Sequence, residues 1–111
     1  MTNETLETIK NRRCCRAYKP EQITNEELDA VLEAGTYAAS AMGRQSAKIV
    51  VVQDAAARAQ LTRMNAAVMG RDTDPMYGAP TILVVLADAH AANAVPDGSL
   101  VMGNLMLAAA S

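Results

Sequence analysis

No disulfide framework, zinc motif or membrane span is written into this chain of 111 residues. The two cysteines, Cys14 and Cys15, are adjacent, and a bridge between neighbours requires a distorted peptide. There is no C-x-x-C pair and the one histidine is His90, so a zinc site lacks ligands. No apolar run approaches the roughly 18 residues that a spanning helix needs. The opening Met1-Thr2-Asn3-Glu4 carries acid where a secretory signal needs base. The chain is therefore read as cytoplasmic, without a membrane partner. Positive charge is also in short supply. The formal net charge is −2 and the basic residues are scattered, apart from Arg12, Arg13 and Arg16. Without a broad positive face to meet a phosphate backbone, no nucleic-acid partner is expected.

What the chain does have is the composition of a folded domain: 50% apolar and 20% charged residues, a balance too apolar for disorder. Its length suits one domain, of a size that is marginal unless well packed or associated with a partner. From Thr2 to about Arg13, acids come first and bases last, with Leu6 and Ile9 a turn apart, which predicts a helix. Lys19-Pro20 lies in a loop from Cys14 to Ile23. Thr24 and Glu27 form a capping box ahead of a second helix over Asn25 to Thr36, with Leu28, Val31, Leu32 and Gly35 on one face.

A small-residue loop, Tyr37 to Ser46, leads into a β-branched strand at Lys48 to Gln53. Asp54 caps an alanine-rich helix in which Leu61, Met64 and Val68 share a face. The turn formers between Gly70 and Pro80 predict a long ordered loop. Thr81 to Ala87 is an uninterrupted apolar run, expected to be a central strand covered on both faces. After a linker from His90 to Pro96, Asp97 is expected to cap a last helix reaching Ala110. That helix is apolar on every side, which calls for another subunit or more chain to cover it.

Two stretches carry candidate chemistry. Arg12, Arg13 and Arg16 mark the junction of the first helix and a loop, where guanidinium forks can meet a phosphate or an electron-rich ring edge. A solvated basic helix end, favoured by the helix dipole, is the plain alternative. Ser40, Gly43 and Gln45 lie in the small-residue loop, where backbone can approach a flat ligand closely and Gln45 offers both donors and acceptors. An ordinary connection is the alternative there.

Taken in order, four blocks resemble the nitroreductase family. They are Arg-Arg-Cys-Cys-Arg-Ala-Tyr-Lys-Pro-Glu-Gln-Ile from Arg12, Ala-Gly-Thr-Tyr-Ala-Ala-Ser-Ala-Met-Gly-Arg-Gln-Ser from Ala34, Tyr-Gly-Ala-Pro-Thr-Ile-Leu-Val-Val-Leu-Ala-Asp from Tyr77, and Asp-Gly-Ser-Leu-Val-Met-Gly-Asn-Leu-Met-Leu-Ala-Ala from Asp97. The resemblance covers nearly the whole chain, and four blocks at the family's spacing are far more specific than any one. It implies an α+β fold, a mainly antiparallel sheet flanked by helices, in an intertwined homodimer whose interface holds FMN. It further implies hydride transfer from NAD(P)H through flavin N5 to a nitroaromatic, quinone or similar acceptor.

The same resemblance assigns residues. Arg12 matches the position that holds the flavin phosphate, Arg13 adjoins it, and Arg16 matches a basic residue near the N1 and O2 edge of the ring. Cys14 stands where the family usually has serine, and a thiol is a weaker donor than a hydroxyl. Ser40 and Gln45 match the second flavin loop, whereas Gly43 replaces an asparagine and Ser46-Ala47 replaces Pro-Trp, so backbone contacts are expected to dominate there. Asn65 matches an asparagine at the pyrimidine edge, with a surface helix asparagine as the alternative. No catalytic nucleophile or metal is implied, since the flavin carries the chemistry. Family chains continue past the last helix with a glycine-rich segment, whereas this one stops at Ala110-Ser111. Residues 1–111 are accordingly expected to be one nitroreductase-like domain, incomplete at its C-terminal side. The alternative to an enzyme is a non-catalytic, dimeric flavin- or ligand-binding module. A thiol redox sensor built on Cys14 and Cys15, with Arg13 and Arg16 as basic neighbours, is a third reading, against which stands the lack of a cysteine elsewhere to resolve it.

Overall fold

The computed structural model describes all 111 residues. In chain order its elements are α1 (Glu4–Asn11), α2 (Asn25–Thr36), a single 3-10 turn (Ala41–Gly43), β1 (Lys48–Val52), α3 (Ala55–Met69), β2 (Ile82–Leu86) and α4 (Ala94–Ala110). The two strands pair with each other in an antiparallel sheet. The chain divides into two compact units, and the division cuts both strands.

The first unit comprises Met1–Arg13, Thr24–Ile49 and Val85–Ser111. Asn3 sets the start of α1, its side chain accepting the Leu6 amide at 2.9 Å. The helix ends when Arg12 turns to ψ 135°, so it is shorter at both ends than its charge pattern predicts. The capping box of α2 is present: Thr24 Oγ1 accepts the Glu27 amide at 3.1 Å and the Glu27 carboxylate accepts the Thr24 amide at 2.8 Å. Both otherwise orphaned donors are satisfied, and the helix spans the predicted residues.

The packing of α2 against α4 forms the core of this unit. Leu28, Gly35 and Leu105 are buried, and Leu105 is 3% exposed. Burying a leucine contributes about 1.5–3 kcal/mol. At Gly35 a side chain would force its neighbours to shift. A Cβ would lie 2.7 Å from Leu105 Cδ2 and 2.8 Å from Ile49 Cδ1. Asn104 Nδ2 donates to the Ala34 carbonyl at 2.9 Å beside this contact, fixing the helices in register. Elsewhere α4 stays open, with Val95 78%, Leu100 49% and Met106 46% exposed.

The start of α4 departs from expectation. It begins at Ala94, with Asn93 at the N-cap and no side-chain cap at all. Asp97 lies inside the first turn and its carboxylate bonds to the Ala41 amide. An acid suits a helix start through the dipole as well as through capping, and residue type alone does not distinguish the two.

The second unit comprises Cys14–Ile23 and Val50–Val84. Asp54 caps α3 as predicted, accepting the Ala57 amide at 2.9 Å, and Gly70 ends the helix at φ 66°. Leu61 is half-buried, but Met64 and Val68 are 57% and 90% exposed, so their shared face finds no cover in this chain. The loop beyond α3 is ordered by Asp74, whose carboxylate accepts the Met76 and Gly78 amides at 2.9 and 2.8 Å. Arg58 donates to the Gln53 and Ala79 carbonyls at 3.1 and 3.3 Å. Gln22 donates to the Pro80 carbonyl and accepts the Thr81 hydroxyl, tying the Cys14–Ile23 segment to the start of β2.

That strand corrects the expectation of a central, doubly covered position. In this chain β2 has one partner strand. Its burial falls from Ile82, at 9% exposed, to Leu86, at 50%. An apolar run records how much a strand needs to bury but not how many neighbours it finds.

Candidate functional site

In the first unit, two of the candidate residues close α1. Arg12 is half-buried at the C-cap and Arg13 is exposed. The Arg13 guanidinium donates to the Lys10 and Arg12 carbonyls at 2.6 and 2.9 Å, covering the helix end as the dipole favours. Arg12 makes no such bond. The one ion pair in the structure is Lys10–Glu7, at 3.3 Å, so no carboxylate neutralises Arg12.

Ser40, Gly43 and Gln45 are brought together in a single tight loop of the same unit. Ser40 accepts twice: its carbonyl takes the Gly43 amide at 3.1 Å and its hydroxyl takes the Gln45 amide at 3.0 Å. Three residues of the loop are left-handed, Met42 at φ 54°, Gly43 at φ 64° and Gln45 at φ 50°. This conformation is natural for glycine and, among other residues, best tolerated by asparagine. Gly43, where the resemblance leads to the expectation of asparagine, suits this left-handed backbone and offers no side chain. The Gln45 side-chain carboxamide has no bonded partner, the residue's hydrogen bond running through its main-chain N–H.

In the second unit, Cys14 and Arg16 are exposed and Cys14 is a free thiol. Arg16 has no acidic partner. Neighbouring Cys15 is also free, and its Sγ donates to the Ala17 carbonyl at 3.0 Å. Asn65 is exposed on α3 and donates to the Leu61 carbonyl of its own helix at 2.9 Å, which leaves its carbonyl oxygen and its second N–H available. No cluster of metal-ligating side chains is present.

Two features here escaped the sequence. Asp97 reaches the Ala41 amide from 56 residues away, and Ser46 Oγ is buried with no hydrogen-bond partner. Asp97 was visible as an acid at a helix start, but nothing in the sequence marks its long-range partner. Ser46 carries no local signal.

The first unit thus offers an unneutralised Arg12 and a loop whose backbone is held in a fixed shape, and the second offers an unneutralised Arg16 and a partly free amide on Asn65. Such a set suits an anionic, flat, hydrogen-bonding ligand.

Known proteins match this chain over nearly its whole length. The family model described as "Nitroreductase family" matches residues 9–111. A nitroreductase from Bacteroides fragilis, solved with bound FMN, is 32% identical with a TM-score of 0.87, the match covering 98% of this chain and 65% of that one. A nitroreductase from Desulfitobacterium hafniense, also solved with bound FMN, is 30% identical with a TM-score of 0.88, covering 99% and 66%. The FMN reductase (NAD(P)H) of Bacillus subtilis is 27% identical over 75 residues, which are 68% of this chain and 30% of that protein. The chain thus spans just under two thirds of each of these two solved relatives and under a third of the Bacillus subtilis enzyme. Its α+β fold is the fold of the solved pair, and the chain belongs to the nitroreductase family.

Proposed function

We propose that this chain binds FMN and serves an oxidoreductase that takes hydride from NAD(P)H and passes it to a nitroaromatic, quinone or similar small acceptor. The observation that carries the reading is the match, over 98% and 99% of the chain, to two nitroreductases solved with FMN. The residues present fit the group. Arg12 and Arg16 have no acidic partner, the Ser40–Gln45 loop has its backbone set, and Ser46 Oγ is a buried hydroxyl without a partner.

FMN, when bound, supplies reversible hydride acceptance at N5. The chain's own residues bind, orient and tune. Arg12 holds the phosphate, where a charge-assisted fork is stronger than a neutral donor. Arg13, already engaged with two carbonyls, adds positive charge beside it. Arg16 would lie toward the pyrimidine edge, where its charge would favour reduced over oxidised flavin. Gln45 and the backbone around Gly43 would hold the ring through hydrogen bonds, and Asn65 would offer its free carbonyl oxygen. Cys14 contributes only a weak donor. No protein nucleophile or strong base is required.

The working form in this reading is a homodimer in the cytoplasm. The exposed Val95, Leu100 and Met106 of α4 support it, because an apolar helix face of this kind calls for cover. The test is anaerobic addition of NADH or NADPH to the FMN-loaded protein. Loss of the oxidised flavin absorbance is expected, and a bound flavin that neither donor reduces would contradict the reductase reading.

A further inference from the structure

Asp97 is buried, 6% exposed, and the proposed chemistry gives it nothing to do. No cation pairs with it. An unpaired buried carboxylate is normally unfavourable, so what it bonds to matters. Its Oδ1 accepts the Ala41 amide at 3.0 Å, and that amide has no main-chain acceptor. Position in the first turn of α4 favours the negative charge through the helix dipole.

Ala41 opens the turn that contains Met42 and Gly43, and left-handed Gln45 follows two residues after that turn. Left-handed conformations are unfavourable for methionine and glutamine, and they persist only where the surroundings impose them. Two side chains do so here, one at each end of the loop. Ser40 Oγ holds the Gln45 amide and Asp97 Oδ1 holds the Ala41 amide.

We propose that Asp97 is a positioning residue, which fixes the Ala41–Gln45 loop in the shape that receives FMN without itself touching the flavin. The flavin half of this statement rests on the function proposed above. The ordering of the loop does not.

The test compares the wild-type protein with Asp97→Ala and Asp97→Asn. The carboxamide of asparagine keeps an acceptor oxygen at the same place, whereas alanine removes it. Amide hydrogen exchange of Ala41 and Gln45, followed by NMR without flavin, is expected to accelerate roughly tenfold in Asp97→Ala, and FMN dissociation constants to rise roughly tenfold. Asp97→Asn is expected to stay within a few-fold of wild type in both. Unchanged exchange in Asp97→Ala would overturn the proposal, as would an asparagine variant that fails as badly as the alanine one. Should Asp97→Ala not fold, the wild type decides, because an unprotected Ala41 amide there removes the contact. The expected exchange pattern together with no FMN uptake by any of the three proteins would uphold the loop ordering and overturn the flavin reading instead.

Discussion

The two candidate binding segments are built in opposite ways. Between Ser40 and Gln45 the backbone is held by acceptors reaching in from both ends, one of them on α4, while Arg44 donates to Met42 Sδ at 3.5 Å and the Gln45 side chain has no partner. Between Arg12 and Tyr18 the bonds run between near neighbours: Arg13 to Lys10 and Arg12, Cys15 to Ala17, Tyr18 to Cys15. One segment presents an organised main chain and the other presents charge on long side chains. A flavin nucleotide has matching halves, a flat hydrogen-bonding ring and an anionic tail. In the proposed reading the pre-organised loop would meet the ring, for which geometry decides affinity, whereas Arg12 would meet the phosphate and Arg16 the pyrimidine edge, where charge decides it.

The largest effect that separates the segments is expected from Arg12→Ala. Affinity for FMN should fall about 10–100-fold, the loss of a charge-assisted contact, while affinity for riboflavin, which lacks the phosphate, stays unchanged. Fluorescence titration with both flavins reads this directly, and equal losses would remove Arg12 from the phosphate. Gly43→Ala probes the other segment. A Cβ there meets nothing within 4 Å, so its effect is conformational, a destabilisation of about 1–2 kcal/mol by urea unfolding. Gly43→Asn should lose clearly less, since asparagine tolerates φ 64° better.

Smaller again is Ser40→Ala, which removes the hydroxyl that accepts the Gln45 amide, at a cost of about 1 kcal/mol. Faster exchange confined to the Ser40–Gln45 amides would sharpen the comparison. Faster exchange spreading to Arg12–Tyr18 would break it. Least is expected from Glu7 on α1. Its pKa is lowered by the Thr2 hydroxyl first and Lys10 second. A lowered folded-state pKa means that the contribution is present above the ordinary carboxylate range and is lost as pH falls through the folded value. The group is exposed, so solvent screens the effect. Acid titration of Glu7→Gln against wild type should show only a slight difference, confined to that range.

Much of this was legible in the sequence, and the reason differs by feature. Helix α2 and the cap of α3 were readable because the signals are local: Thr24 with Glu27, and Asp54 ahead of an alanine-rich run. The antiparallel α+β fold came from the resemblance of four blocks, since periodicity alone finds elements without ordering them. Non-local features were not readable. Asp97 looks like a cap from its neighbours, and only the fold brings Ala41 to it. The apolar run at Thr81–Ala87 predicted burial on both faces, but strand partners are a property of the whole sheet. For the candidate residues, the sequence offers names while leaving their state open. It could not indicate that Arg12 is unneutralised or that Asn65 bonds back to its own helix.

The central claim is that this chain holds FMN, and the most direct test is a titration of the purified, flavin-free protein with FMN, followed by absorbance and flavin fluorescence. Saturable uptake that perturbs the flavin spectrum is the predicted result. A flavin spectrum that stays that of free FMN with protein in excess would contradict it.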